Sequence, residues 1–150
     1  MSLTRIYDPV RKIYVAATPE EIVRQKLLFG MINGLGYPIN LIAVEKDLDS
    51  LEHLKNSKSF IGRRADIICF AKNIHPEHML CPLLMIECKA KYLNQKTVQQ
   101  VLGYNHFVKA YFVAISNGRE IKTLWKNKGK YESANYLPAY FDLIKAIKHV

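Results

Sequence analysis

Arg63-Arg64-Ala65-Asp66-Ile67-Ile68-Cys69-Phe70 and Leu83-Leu84-Met85-Ile86-Glu87-Cys88-Lys89-Ala90, joined by a polar stretch centred on His75-Pro76-Glu77-His78, decide how this sequence reads. Both runs are apolar and rich in β-forming residues, which predicts two strands, 65–70 and 83–90, folded on each other as a hairpin. Partners in an antiparallel hairpin have residue numbers with a constant sum, and a loop centred between Pro76 and Glu77 makes that sum 153. Asp66 and Glu87 meet the condition. They are expected side by side on one face, with Cβ atoms ~5 Å apart. Lys89, two residues beyond Glu87, projects from the same face. Leu84, Ile86, Cys88 and Ala90 form the opposite face, and Leu83 and Met85 precede Glu87 on its own. A strand apolar on both faces is covered on both faces.

Two carboxylates ~5 Å apart repel by roughly 3 kcal/mol at an effective dielectric of 20. A pair held this close keeps a proton or recruits a cation. An all-oxygen donor set with room for water suits Mg2+ or Mn2+. A protonated lysine beside it orients a water and stabilises charge developing on a phosphate. These are the components of metal-dependent phosphodiester hydrolysis. The competing reading has Asp66 capping a strand after Arg63-Arg64, with Glu87 and Lys89 as solvated surface residues. The apolar residues on both sides of Glu87 and the opposed aspartate weigh against it.

Outward from this hairpin, Asp8-Pro9-Val10-Arg11 reads as a turn between short strands at Ile6-Tyr7 and Ile13-Tyr14-Val15. Thr18-Pro19-Glu20-Glu21 opens a helix, with Thr18 as N-cap and Glu21 completing a capping box. Its stripe is Val23, Leu27, Leu28, Met31, Ile32 and Leu35. Glu20 and Arg24 fall within that stripe and Glu21 on its edge, so the first turn either frays into water or reaches a polar site. A strand is expected over 41–48, a polar loop over 49–62 and a second helix over 94–109, with Val98, Val101, Leu102 and Val108 inward. A last hairpin, 111–115 with 121–125, turns at Ser116-Asn117-Gly118, and Pro138 opens a closing helix with Phe141, Ile144 and Ile147 on one face. The order predicts an α+β fold, a mixed sheet flanked by helices, in a single domain over 1–150.

The chain has 150 residues, 22 Lys plus Arg against 13 Asp plus Glu, and a formal net charge of +9. With 49% hydrophobic residues it is neither disordered nor a disulfide scaffold. The longest apolar run, Ala110 to Ile115, is far short of the ~20 residues of a membrane span, and the first residues lack the apolar core of a signal peptide. A soluble cytoplasmic protein with its three cysteines as thiols is expected. The positive excess suits a polyanion, most often nucleic acid.

Tyr-Asp-Pro-Val-Arg-Lys at 7–12, Thr-Pro-Glu-Glu-Ile-Val-Arg-Gln at 18–25, Leu-Gly-Tyr-Pro at 35–38, Arg63 to Ile67 and Ile86 to Ala90 occur in an order and spacing that resemble the type I restriction enzyme R protein N-terminal family, within the PD-(D/E)XK nuclease superfamily. The resemblance spans roughly residues 5–125. It implies a restriction-endonuclease-like fold and cleavage of DNA. It implies Asp66 and Glu87 as metal ligands, the backbone carbonyl of Cys88 as a further oxygen, and Lys89 as the catalytic lysine. Gln100-Val-Leu-Gly-Tyr104 fits the Gln-x-x-x-Tyr motif of the RecB-like branch, and Glu20 and Glu21 are both candidates for its first-helix acid, Glu21 being carried forward. Ala65 stands where the superfamily motif has its proline.

Arg63, Arg64, Lys91, Lys55 and Lys58 are candidate DNA contacts, and a homodimer or a larger restriction or repair assembly is a candidate partner state. The ATP-binding Gly-x-x-x-x-Gly-Lys-Ser/Thr loop of a DNA motor does not occur in these residues. His75, His78 and Cys81, with Cys69 across the hairpin, are spaced as zinc ligands but lack a Cys-x-x-Cys anchor. Lys122, Lys126, Lys128 and Lys130 form either a phosphate-contacting stripe or a solvated face. The functional readings are a Mg2+- or Mn2+-dependent deoxyribonuclease, a DNA-binding module without catalysis, and a docking subunit.

Overall fold

A computed structural model describes residues 4–54 and 63–148. Strands β1 (Arg5–Asp8) and β2 (Ile13–Ala16) form a small antiparallel hairpin, followed by helix α1 (Pro19–Asn33). Then come β3 (Ile42–Asp47), β4 (Arg64–His75), β5 (His78–Cys88), α2 (Gln95–Val108), β6 (Phe112–Ser116), β7 (Ile121–Asn127), β8 (Lys130–Ala134) and α3 (Tyr140–Lys148). Strands β3 to β8 make one six-stranded sheet in sequence order. Every neighbouring pair is antiparallel except β5 and β6, which run parallel and use α2 as their crossover. The expected α+β architecture is what the chain adopts.

The two central strands are longer than the apolar runs predict, meeting in a two-residue turn at Pro76-Glu77. Two irregularities interrupt their ladder. Cys69 pairs with Leu84 but Phe70 with Pro82, so Leu83 is an extra residue on β5; Lys72 pairs with Leu80 but His75 with His78, so Asn73 and Ile74 oppose Met79 alone. Asn73 absorbs the second bulge with a left-handed φ of 57°. One bulge lies on each strand and they cancel. Ile67 therefore pairs with Ile86, Ile68 with Met85 and Cys69 with Leu84, on the sum of 153 that loop symmetry predicts. Leu83 does not share the face of Met85 and Glu87 as simple alternation requires. The bulge turns it to the other side, where it packs with Leu84, Ile86 and Cys88.

The sheet has a core on each face. Val23, Leu28 and Met31 of α1 and Leu143 of α3 close over Ile67, Leu84 and Ile86, while Val101 and Val108 of α2 close over Ile68, Met85 and Ile115. Gly118, in the turn between β6 and β7, has φ 91°, a conformation that favours glycine, and a Cβ there would lie 3.3 Å from a Val23 methyl, a tight contact that adds to the strain. Two sequence expectations are corrected. The closing helix turns Ile144 and Ile147 to the core as expected, with Leu143 buried and Tyr140 half-buried beside them, whereas Phe141, expected on the same face, is 70% exposed. The second correction is β8, which sequence patterning misses: its residues are almost all exposed and do not alternate, and pairing with β7 through the Lys128-Gly129 turn, φ 52° and 81°, defines it. Ile86, fully buried at the centre of the sheet, is expected to cost roughly 2–5 kcal/mol when changed to alanine, read as a lower urea midpoint at unchanged slope.

Candidate active site

The ends of β4 and β5 bring Asp66 and Glu87 together. The Cys88 backbone N–H donates to Asp66 Oδ2 at 2.8 Å, and Arg24 of α1 donates to Asp66 Oδ1 at 3.0 Å. Burial, then the charge of Asp66 and a hydrogen bond between the two carboxyl groups, push Glu87 well above the ordinary carboxylate range; Lys89 and the Asp66 backbone offset this only in part. With nothing else to neutralise it, Glu87 is the carboxyl of the pair that retains a proton toward neutral pH. Burial also pushes the Cys88 thiol up, assisted by Asp66, Glu87 and Glu20 and opposed by Arg24. This leaves the Cys88 side chain a neutral part of the core.

Glu87, Lys89, Gln100, Tyr104, Arg63 and Arg64 line one cavity of about 170 Å³. The Lys89 N–H donates to the Ser116 carbonyl at 2.8 Å, continuing the β5–β6 pairing one residue past the strand end and setting where the lysine emerges. Helix α2 starts at Asn94, whose side chain accepts from the Thr97 N–H at 2.8 Å, and it places Gln100 and Tyr104 one turn apart toward the same cavity. Arg63 donates to the Tyr104 hydroxyl and lies over its ring, 5.3 Å from the centroid. Arg64 pairs instead with Asp47 at 2.9 Å. Lys91 is exposed in the loop before α2, outside the cavity lining, and Lys55 and Lys58 lie outside the described residues. Lys126 packs on Tyr131, 5.2 Å from its ring, and Lys128 sits in the turn before β8.

Behind Asp66 runs a ladder of charge, buried at Asp8, Glu21 and Arg24 and open to solvent at Glu45, that sequence reading only glimpsed. Arg11 binds Asp8 at 2.6 Å, Glu21 at 2.6 Å and Glu45 at 3.3 Å; Arg24 binds Glu21 at 3.4 Å, Glu45 at 3.4 Å and Asp66 at 3.0 Å. Asp8 Oδ1 also accepts from the Val10 and Arg11 N–H groups, closing the first turn. Glu45 has a left-handed φ of 52° within β3. That strained conformation persists where surrounding contacts hold it, here the two guanidinium groups. The first turn of α1 therefore reaches a polar site. Its buried members are Arg24 and Glu21, at 5% and 7% exposure, with Glu20 exposed, the reverse of the predicted ordering of the two acids. Thr18 accepts from the Glu21 N–H as expected of the N-cap, but the Glu21 carboxylate turns to the arginines and Gln25 rather than closing the capping box. The charged residues inside the apolar stripe were the signal; Asp8, Arg11 and Glu45 had none.

A family model described as the type I restriction enzyme R protein N terminus matches residues 19–138. No curated protein and no solved structure matches the chain significantly.

Two stability outcomes follow from these electrostatics. Burial alone would raise the Asp8 carboxyl, but the Arg11 and Val10 N–H groups and the Arg11 guanidinium outweigh it and hold the group below its ordinary value. A carboxyl depressed on folding contributes stability above its unfolded value of about 3.9 and loses it as pH falls through the lower folded value. The stability gap between the parent and Asp8→Asn in urea melts is therefore expected to be widest near neutrality and to shrink below about pH 4. Glu87 has the opposite sign: a carboxyl raised on folding costs stability above its unfolded value of about 4.3, because folding at pH 7 must return a proton to it. Glu87→Gln should therefore stabilise the metal-free protein at pH 7 by about 1–3 kcal/mol, measured by urea unfolding with a chelator present.

Proposed function

The chain belongs to the type I restriction enzyme R protein N-terminal family, and from that premise we propose that it is a metal-dependent deoxyribonuclease domain that hydrolyses DNA phosphodiester bonds. Membership alone carries a restriction-related role. The observation that carries the chemistry further is the convergence of Glu87, Lys89, Gln100 and Tyr104 on one cavity, with Asp66 against Glu87.

The donor set fits Mg2+ or Mn2+: two carboxylates whose mutual repulsion a divalent ion relieves, with the Cys88 carbonyl at the strand end as a further oxygen. When bound, such an ion neutralises phosphate charge and lowers the pKa of a water. Asp66 is held for this role by two donors, the Cys88 N–H and Arg24, so its carboxylate needs no reorganisation. Lys89 supplies a mobile positive charge toward the scissile phosphate and orients the attacking water. Gln100 and Tyr104 hydrogen-bond the phosphate or that water, and Arg63, steadied on the Tyr104 ring, meets an adjacent phosphate. Arg64, Lys91, Lys55 and Lys58 are further candidate DNA contacts. Glu21 acts through Arg24, as its counter-charge, rather than on the reacting atoms. DNA is the partner, within a homodimer or a larger restriction assembly. No helix among the described residues is long and apolar enough to cross a membrane.

Cleavage of supercoiled and linear DNA with Mg2+ or Mn2+ at low salt tests this. Asp66→Ala and Lys89→Ala are each expected to lower the rate by about a hundredfold or more while DNA binding persists. Cleavage that survives both substitutions overturns the assignment. Binding without cleavage in every variant, parent included, makes the chain a DNA-holding module instead. In either case binding is expected to fall steeply with salt, and Arg63→Ala to reduce the slope by about one phosphate contact.

A further inference from the structure

The turn at the far end of the β4–β5 hairpin gathers a second set of ligating groups. His75 and His78 are register partners across the two-residue turn, and their rings lie 5.0 Å apart, centroid to centroid. Glu77 sits between them in sequence, and ligand atoms of His75, Glu77 and His78 all lie within 4.8 Å of one another. The bulge at Asn73 and Ile74 makes this possible: it restores direct pairing of the two histidines, which the upstream register would have offset by a residue. The same three residues line a cavity of about 440 Å³ that His53, Cys81 and Tyr111 also border. Cys81 and Cys69 take no part in the cluster. Cys69 is buried in the core beneath the sheet, its thiol pushed up by burial to about 12.

We propose that His75, Glu77 and His78 form a binding site for a borderline divalent transition ion of the Zn2+ class, open toward that cavity. Two imidazoles and one carboxylate select such ions over Mg2+ or Ca2+, which prefer oxygen alone. A tetrahedral ion bound at about 2.0–2.1 Å needs ligand atoms ~3.4 Å apart, so the three side chains close in by about an ångström through rotation about their χ angles. The Glu77 N–H now donates to His75 Nδ1 at 3.0 Å; the ion replaces that bond, and ligation takes over its role of holding the turn. Three protein ligands leave a fourth position facing the cavity for water or an anionic group. Nine residue steps along β4 lead from Asp66 to His75, about 30 Å at ~3.3 Å each, so this site is distinct from the oxygen set at the other end of the hairpin.

Co2+ serves as the spectroscopic probe, because imidazole ligation at a four-coordinate site gives intense visible bands that a hydrated or all-oxygen octahedral ion lacks. The full chain, stripped of metal by a chelator, is titrated with Co2+ and then with Zn2+ as competitor. The expected result is a saturable visible spectrum at one equivalent, displaced by Zn2+, together with a rise in melting temperature on adding Zn2+. His75→Ala and His78→Ala should each weaken binding by about tenfold or more, at least the effect of losing an outer partner of a metal ligand. Glu77→Gln, which leaves the turn and both rings in place, should weaken it without shifting the metal-free melting temperature, separating ligation from folding. The Asp66→Asn, Glu87→Gln double variant should retain the spectrum. A spectrum unchanged in the histidine and Glu77 variants, lost in the Asp66, Glu87 variant, or missing from the parent overturns the proposal.

Discussion

Two carboxylates pressed together at the end of a covered hairpin need positive charge from somewhere, and the rest of this end of the molecule is arranged to supply it. Arg24 reaches Asp66 from α1, across 42 residues of sequence, and is itself held by Glu21 and Glu45, which Arg11 also bridges. Asp8 then fixes the orientation of Arg11 within the turn of the amino-terminal hairpin. Buried ion pairs of this kind add little net stability against apolar replacements of the same shape, because desolvation offsets most of their attraction. What the ladder does is fix orientation. Asp66 has one oxygen on Arg24 and the other on a backbone N–H, so its position follows from the sheet and α1 together. Glu87 has no arginine of its own in this ladder, and burial first, then the charge of Asp66, raise its carboxyl.

The central hairpin is the lever that connects the two polar ends of the molecule. Its middle is an apolar slab, with Ile67, Ile68, Leu84, Met85 and Ile86 almost wholly buried between helices on both faces. Its open end carries carboxylates beside a lysine and its closed end two imidazoles with the Glu77 carboxylate, so the two ends present donor groups of different chemistry. Two bulges, one per strand, preserve the register at both ends while reversing the side on which Leu83 packs.

Much of the candidate site was legible because it depends on short-range rules. Alternation and loop symmetry put Asp66 opposite Glu87 and Lys89 near them, although loop symmetry took no account of the bulges that cancel between. Helical spacing put Gln100 and Tyr104 one turn apart. Resemblance gave that spacing a meaning that geometry alone did not. Patterning failed where the strand is exposed almost throughout, as in β8, and where two phases of an amphipathic stripe fitted nearly as well, as in α3.

From the sequence alone came the α+β order, the strand pairing at the core and the carboxylate–lysine grouping, because each is set by periodicity within a few residues or across one turn. Only the tertiary structure decided that Glu21 rather than Glu20 is buried, that Arg24 joins Asp66, that Arg63 settles on Tyr104 from 41 residues away, and that Glu77 rather than a cysteine completes the histidine cluster. The physical reason is that a side chain's surroundings depend on where rigid elements and registered strands come to rest against each other. That placement is fixed by packing of the whole core, by strained residues such as Glu45 and by bulges that shift a strand by one residue, none of which leaves a periodic trace in the chain.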